Sequence, residues 1–211
     1  MDFLNPESAF MQMLGKLADI IIVNLLFFLC SIPLVTIGAA TVAAHKVMQD
    51  IVFMTERNIW KRFFHTFKSS FKQATISWAF VLILVFFLVL DFYLVAQYCQ
   101  GILAMILFLF LGMMSLSVLG AAGFLFPLLA RYKSSLRQQI KNACFLAWGK
   151  PCRSIAVLVF GLVPVVLPLF SVRFFFEKNY LWFLFFFGLS FYFISLLLKP
   201  VFVRIETPVN T

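Results

Sequence analysis

FYLVAQYCQGILAMILFLFLGMMSLSVLGAAGFLFPLLA, residues 92–130, runs for 39 residues without an Asp, Glu, Lys or Arg. As one helix it would be about 58 Å long, nearly twice the hydrocarbon core of a bilayer. The polar cluster Gln97, Tyr98, Cys99, Gln100 and Gly101 near its start reads as a turn. One span therefore extends past Asp91 to about Gln97, and the next starts near Ile102.

The other uncharged intervals, Ile20–His45, Gln73–Leu90, Ser154–Val172 and Asn179–Leu198, each fit one crossing. The spacing predicts an all-α polytopic bundle. Its five spans cover about residues 18–44, 74–97, 102–130, 154–172 and 179–198, within one integral membrane domain over residues 1–211. Composition agrees: 64% of the residues are apolar and 12% charged, against a charged share of roughly a quarter in soluble domains. The 30 phenylalanines exceed what one small soluble core can hide.

The basic residues set an expected orientation. Lys46, Arg57, Lys61, Arg62, Lys68 and Lys72 fall in one connecting segment, and Arg131, Lys133, Arg137, Lys141, Lys150 and Arg153 in another. With Lys199 and Arg204 they all lie on one side of a five-span chain, leaving Lys16, Arg173 and Lys178 on the other. The positive-inside rule then places both segments and the C-terminus in the cytoplasm and the N-terminus outside. The net charge of +9 is accounted for by this topology and by anionic headgroups, so no nucleic-acid partner is expected.

Both basic segments are expected to form amphipathic connecting helices. On a helical wheel Trp60, Phe63, Phe64, Phe67 and Phe71 share a face, with Lys61, Arg62, His65, Lys68 and Lys72 spread over the other side. Phe67–Gln73 is echoed by Tyr132–Gln138, which belongs to the segment carrying Lys133, Arg137 and Lys141. These helices are candidates for contact with anionic lipid or a partner protein; a plain interfacial connector is the simpler reading.

Polar groups within spans are few. Asp19 and Asp91 border or enter the first and second spans, and Asn24 and Thr36 lie within the first; each could face a ligand or serve as packing glue. Asp19 and Asp91 could form a dyad if the outer ends of the two spans meet. Pro33 is expected to kink the first span, and Pro164 and Pro168 the fourth. No nucleophile–base pair, metal-ligand spacing or phosphate loop occurs, so neither catalysis nor a cofactor is expected.

The run from Asn24 to Thr41, NLLFFLCSIPLVTIGAAT, resembles the signature of the YesL family of bacterial membrane proteins, and the likeness continues in Phe64–Trp78 and Tyr132–Ala143. That family is named for a domain of unknown function. The resemblance implies a small multi-span protein of Gram-positive bacteria, encoded near sugar uptake systems and glycoside hydrolases. The leading expectation is a non-catalytic accessory or regulatory component of carbohydrate uptake in the plasma membrane, with anionic lipid and a sugar-transport complex as partners. A small permease with a site near the kinked helices is the alternative, and an intramembrane enzyme comes last.

Overall fold

A computed structural model describes residues 9–55, 58–170 and 180–206. Arg57, Arg173 and Lys178, which enter the expected orientation, lie outside them. The described residues form helices α1 (Ala9–Ser31), α2 (Ile37–Phe53), α3 (Ile59–Tyr98), α4 (Gly101–Arg131), α5 (Leu136–Gly149), α6 (Pro151–Phe170) and α7 (Tyr180–Glu206), with a 3-10 turn at Leu34–Thr36. No strand occurs among them. Phe10–Ser31, Ile59–Tyr98, Gly101–Arg131 and Phe185–Glu206 are long and apolar enough to cross a membrane, and the bent pair α5–α6 would make a fifth span. This is the helical membrane bundle that the uncharged intervals predict.

Two elements differ from that expectation. Residues 18–44 are not one kinked span: α1 stops at Ser31 and the chain doubles back as α2. Pro33 lacks a backbone N–H and disfavours helix in the residue before it. Thr36 then clasps the break, its Oγ1 donating to the carbonyls of Cys30 (2.6 Å) and Pro33 (2.7 Å), which satisfies acceptors that a helix end leaves open. The fold-back buries Ile20, Val23, Leu26 and Phe27 of α1 against Ala40, Ala43, Ala44, Val47 and Met48 of α2. It also returns the start of α1 to the side where α2 ends, which corrects the placement of the two ends of residues 18–44 on opposite faces.

Nor is the first basic segment a separate connector. It is the opening half of α3, a single helix of 40 residues, about 60 Å long. Asn58 caps it, its side chain accepting from the Lys61 N–H, and no Gly or Pro interrupts it. This half runs antiparallel to α2, with Gly38 against Ala74 and Trp78 at one end and Asp50 against Arg62 at the other. The Trp78 indole donates to the Leu34 carbonyl at 3.1 Å, fixing the α1–α2 turn at the middle of α3.

Beyond Trp78, α3 and α4 continue as a hairpin whose most apolar stretches are almost wholly exposed within the chain. Phe92 stacks on Phe108 and Trp78 meets Phe126 along its length. It turns at Cys99–Gln100, where Gly101 takes a φ of +66°, a value glycine adopts without strain. The core lies in the other half, where Phe124–Ala130 of α4 pack with Val42, Ile194, Leu198, Val201 and Phe202. α7 runs parallel to α2, as the His45–Phe191 ring contact and the Lys199–Val52 hydrogen bond show.

Candidate functional site

The ends of α2, α4 and α7 and the start of α3 converge at one end of the bundle, here called the basal end. Asp50 is buried there, with Arg62 Nε at 2.7 Å and Lys46 Nζ at 3.3 Å. A buried carboxylate is tolerated when it is paired in this way. Arg131 forks onto Glu206, Nε to Oε1 at 2.6 Å and Nη2 to Oε2 at 2.7 Å, and the Tyr132 hydroxyl donates to Oε1 at 3.2 Å. Burial first, and then the Glu206 carboxylate, push the Tyr132 phenol up. Phe53 holds the two halves together: Arg131 lies 4.0 Å over its ring and Lys199 5.5 Å. Lys46, Arg62, Arg131 and Lys199, which the sequence assigns to one side, do meet at this end.

The basic half of α3 is divided by its packing. At about 100° per residue, its five aromatic residues span an arc about 100° wide. Phe63 and Phe67, at one edge, turn toward α2, Phe63 fully buried. Trp60, Phe71 and Phe64 stay exposed at the other edge, and exposed Lys68, Lys61, Lys72 and His65 follow them round the helix. Aromatic and cationic side chains thus form adjoining strips on one outward face about 140° wide. Arg62 turns the other way to Asp50, which removes it from the outward set. On α5 and just before it, Lys133, Arg137 and Lys141 are exposed, together with Phe145 and Trp148.

Of the intramembrane polar candidates, Asn24 is fully buried and its Oδ1 accepts from the Gly188 N–H at 2.7 Å. A Cβ on Gly188 would stand 2.7 Å from the Ile20 carbonyl oxygen, so Asn24 marks a close crossing of α1 and α7. Thr36 serves the α1–α2 turn. Asp91 is exposed, about 20 Å beyond Trp78 toward the hairpin tip. Asp19, half-buried, lies on α1 in the opposite direction from the turn, so the two carboxylates do not form a dyad. Pro164 is buried within a continuous α6, and Pro168 also lies within that helix.

Sequence reasoning missed the polar side of α2. His45, Gln49 and Asp50 are buried at i, i+4 and i+5. Gln49 Nε2 donates to the Pro127 carbonyl at 3.0 Å, while His45 Nδ1, Gln49 Oε1 and Ser195 Oγ have no hydrogen-bond partner among the described residues. The helical spacing of His45 and Gln49 was the available signal. Among the described residues no three His, Cys, Asp or Glu side chains gather as metal ligands would.

Residues 20–92, about a third of the chain, match the profile of a family described as "Protein of unknown function, DUF624". The match begins in α1 and ends within α3, so it covers the fold-back at Pro33 and the basic half of α3. No curated protein matches the sequence, and no solved structure matches the fold.

Proposed function

We propose that the chain is a non-catalytic accessory or regulatory membrane protein of carbohydrate uptake, acting through outward surfaces rather than through an interior site. One observation carries this reading: after packing has consumed Phe63, Phe67 and Arg62, the adjoining aromatic and basic strips of α3 remain exposed. Such a face suits anionic headgroups or an acidic partner surface. The link to sugar uptake rests on the YesL resemblance. The protein sits in the plasma membrane of a Gram-positive bacterium, its basal end and C-terminus facing the cytoplasm, in keeping with the basic residues gathered there.

The test is affinity purification of the tagged protein in mild detergent, followed by mass spectrometry. Stoichiometric recovery of a sugar-transporter subunit, lost on reversing the charges of Lys61, Lys68 and Lys72, is the expected result. Recovery unchanged by those reversals would refute the assignment to this face.

A permease is the second reading. It is favoured by the two broken helix pairs, at Pro33 and between α5 and α6, together with the unpartnered polar atoms of His45, Gln49 and Ser195. Solute flux into liposomes that Gln49→Leu abolishes would establish it in place of the first.

A further inference from the structure

The elbow between α5 and α6 combines features that the proposed function leaves unused. The two helix axes meet at 108°, and Lys150 sits at the corner. Its carbonyl accepts from the N–H groups of Arg153 and Ser154, both at 3.0 Å, and its own N–H donates to Leu146 at 3.1 Å. Ser154 Oγ adds a bond to the Ala147 carbonyl at 2.7 Å, so the corner is held on both sides.

Charge gathers there with no carboxylate paired to it among the described residues. Lys150 lies within electrostatic reach of Arg153 and of Arg204 in the last turn of α7. None of the three has an ion pair among the described residues, and Arg153 Nη1 is buried without an acceptor. Lys46, Arg62 and Arg131 at the basal end each have a carboxylate instead.

Two apolar clefts of about 180 and 170 Å³ flank Trp148, two residues before the corner, and share Ser117 as a second wall. The first runs between Met113 and Leu116 of α4 and Pro151 and Ile155 of α6; the second lies toward Phe80 and Leu84 of α3. Paired apolar grooves beside unneutralised cations match the chemistry of a two-chain anionic amphiphile.

We propose that the elbow holds one anionic diacyl phospholipid, with its phosphate at the Lys150–Arg153–Arg204 cluster and the first several carbons of its two acyl chains seated in the clefts on either side of Trp148. The inference rests on the lipid part of the function proposed above but uses a different surface. A basic residue near an anionic membrane surface changes partitioning roughly fivefold, so the three together set a preference of roughly 100-fold over a zwitterionic lipid.

The full chain in detergent is titrated with phosphatidylglycerol or phosphatidylcholine and followed by native mass spectrometry. One phosphatidylglycerol is expected to be retained preferentially by the wild type and by K61A/K68A/K72A, and to be lost from K150A/R153A/R204A. If that variant does not fold, K150Q/R204Q, which leaves the buried Arg153 in place, should lower the preference at least tenfold. Trp148→Ala should weaken retention with all three cations intact. Equal retention of the two lipids by the wild type overturns the proposal, as does an equal loss in the α3 variant. Displacement of the lipid by millimolar inorganic phosphate would show a phosphate site without use of the clefts, and would likewise overturn it. The partner recovered through α3 is read separately, so either proposal can fail alone.

Discussion

Gly38 tests the packing of α2 on α3 directly. A Cβ built on it lies 2.6 Å from the Ala74 carbonyl oxygen and 2.6 Å from Trp78 Cβ. Both are fixed by the backbone of α3, so neither can swing aside. Restoring ordinary contact at about 3.4 Å requires the helices to part by about 0.8 Å. Overpacking of this kind costs about 1–3 kcal/mol, and the rigid neighbours put Gly38→Ala near the upper end. Alanine returns about 1 kcal/mol through helix propensity, leaving a net loss of about 2 kcal/mol. For a chain of this length that is about 4–8 °C in Tm, read in detergent by fluorescence-detected size exclusion after heating. Gly112→Ala is the control: it lies inside α4 with nothing within 4 Å of its Cβ, so only the propensity gain acts and Tm should hold or rise by about 2–4 °C. If the two variants shift Tm in the same direction and by similar amounts, the close approach of α2 and α3 is wrong.

Asp50→Ala takes away the carboxylate that Lys46 and Arg62 share. Removing one partner of a buried pair costs about 3–5 kcal/mol, but the Arg62 side chain is 33% exposed and can hydrate, so about 1–2 kcal/mol is expected in the same thermal assay. Thr36→Val removes both bonds that clasp the α1–α2 turn and should cost about 1 kcal/mol; no change in Tm would show the clasp to be idle. Cys144 and Cys152 are free and exposed. A membrane-impermeant maleimide should modify Cys152 in inside-out vesicles and not in intact cells, and its labelling in intact cells would reverse the orientation; Cys144 lines the cleft beside Trp148 and is the shielded control.

The hairpin turn was legible because Gln97, Gln100 and Gly101 interrupt an apolar run with groups that favour a turn, and α3 and α4 end and begin there. The fold-back at Pro33 was not. Apolar composition is the same whether a run crosses lipid once or folds into two helices against protein, and a single proline is compatible with a kink. The small side chains of Ala39, Ala40, Ala43 and Ala44 permit close helix approach, but their spacing does not reveal that α2 is covered on several sides by α1, α3, α4 and α7. On α3 the wheel correctly grouped the aromatic residues but could not say which edge of a wide arc meets a neighbour; that depends on where α2 lies. The basic character of the basal end was readable from charge positions, and the Lys46–Asp50 pair follows from i,i+4 spacing, while the Arg62–Asp50 and Arg131–Glu206 pairs were not, since they span a turn and distant helices.

The unbroken length of α3 has a mechanical meaning. Glycine, proline and π-bulges are the usual sites at which a helix bends sharply, and residues 59–98 contain neither glycine nor proline. The hairpin tip at Tyr98 and the basic face at Lys61 are therefore opposite ends of one stiff lever, with Trp78, anchored on Leu34, near its midpoint. Its basal half is clamped along α2, from Gly38 against Ala74 to Asp50 against Arg62, so the hairpin tip and the basic face hold one fixed relation along the rod.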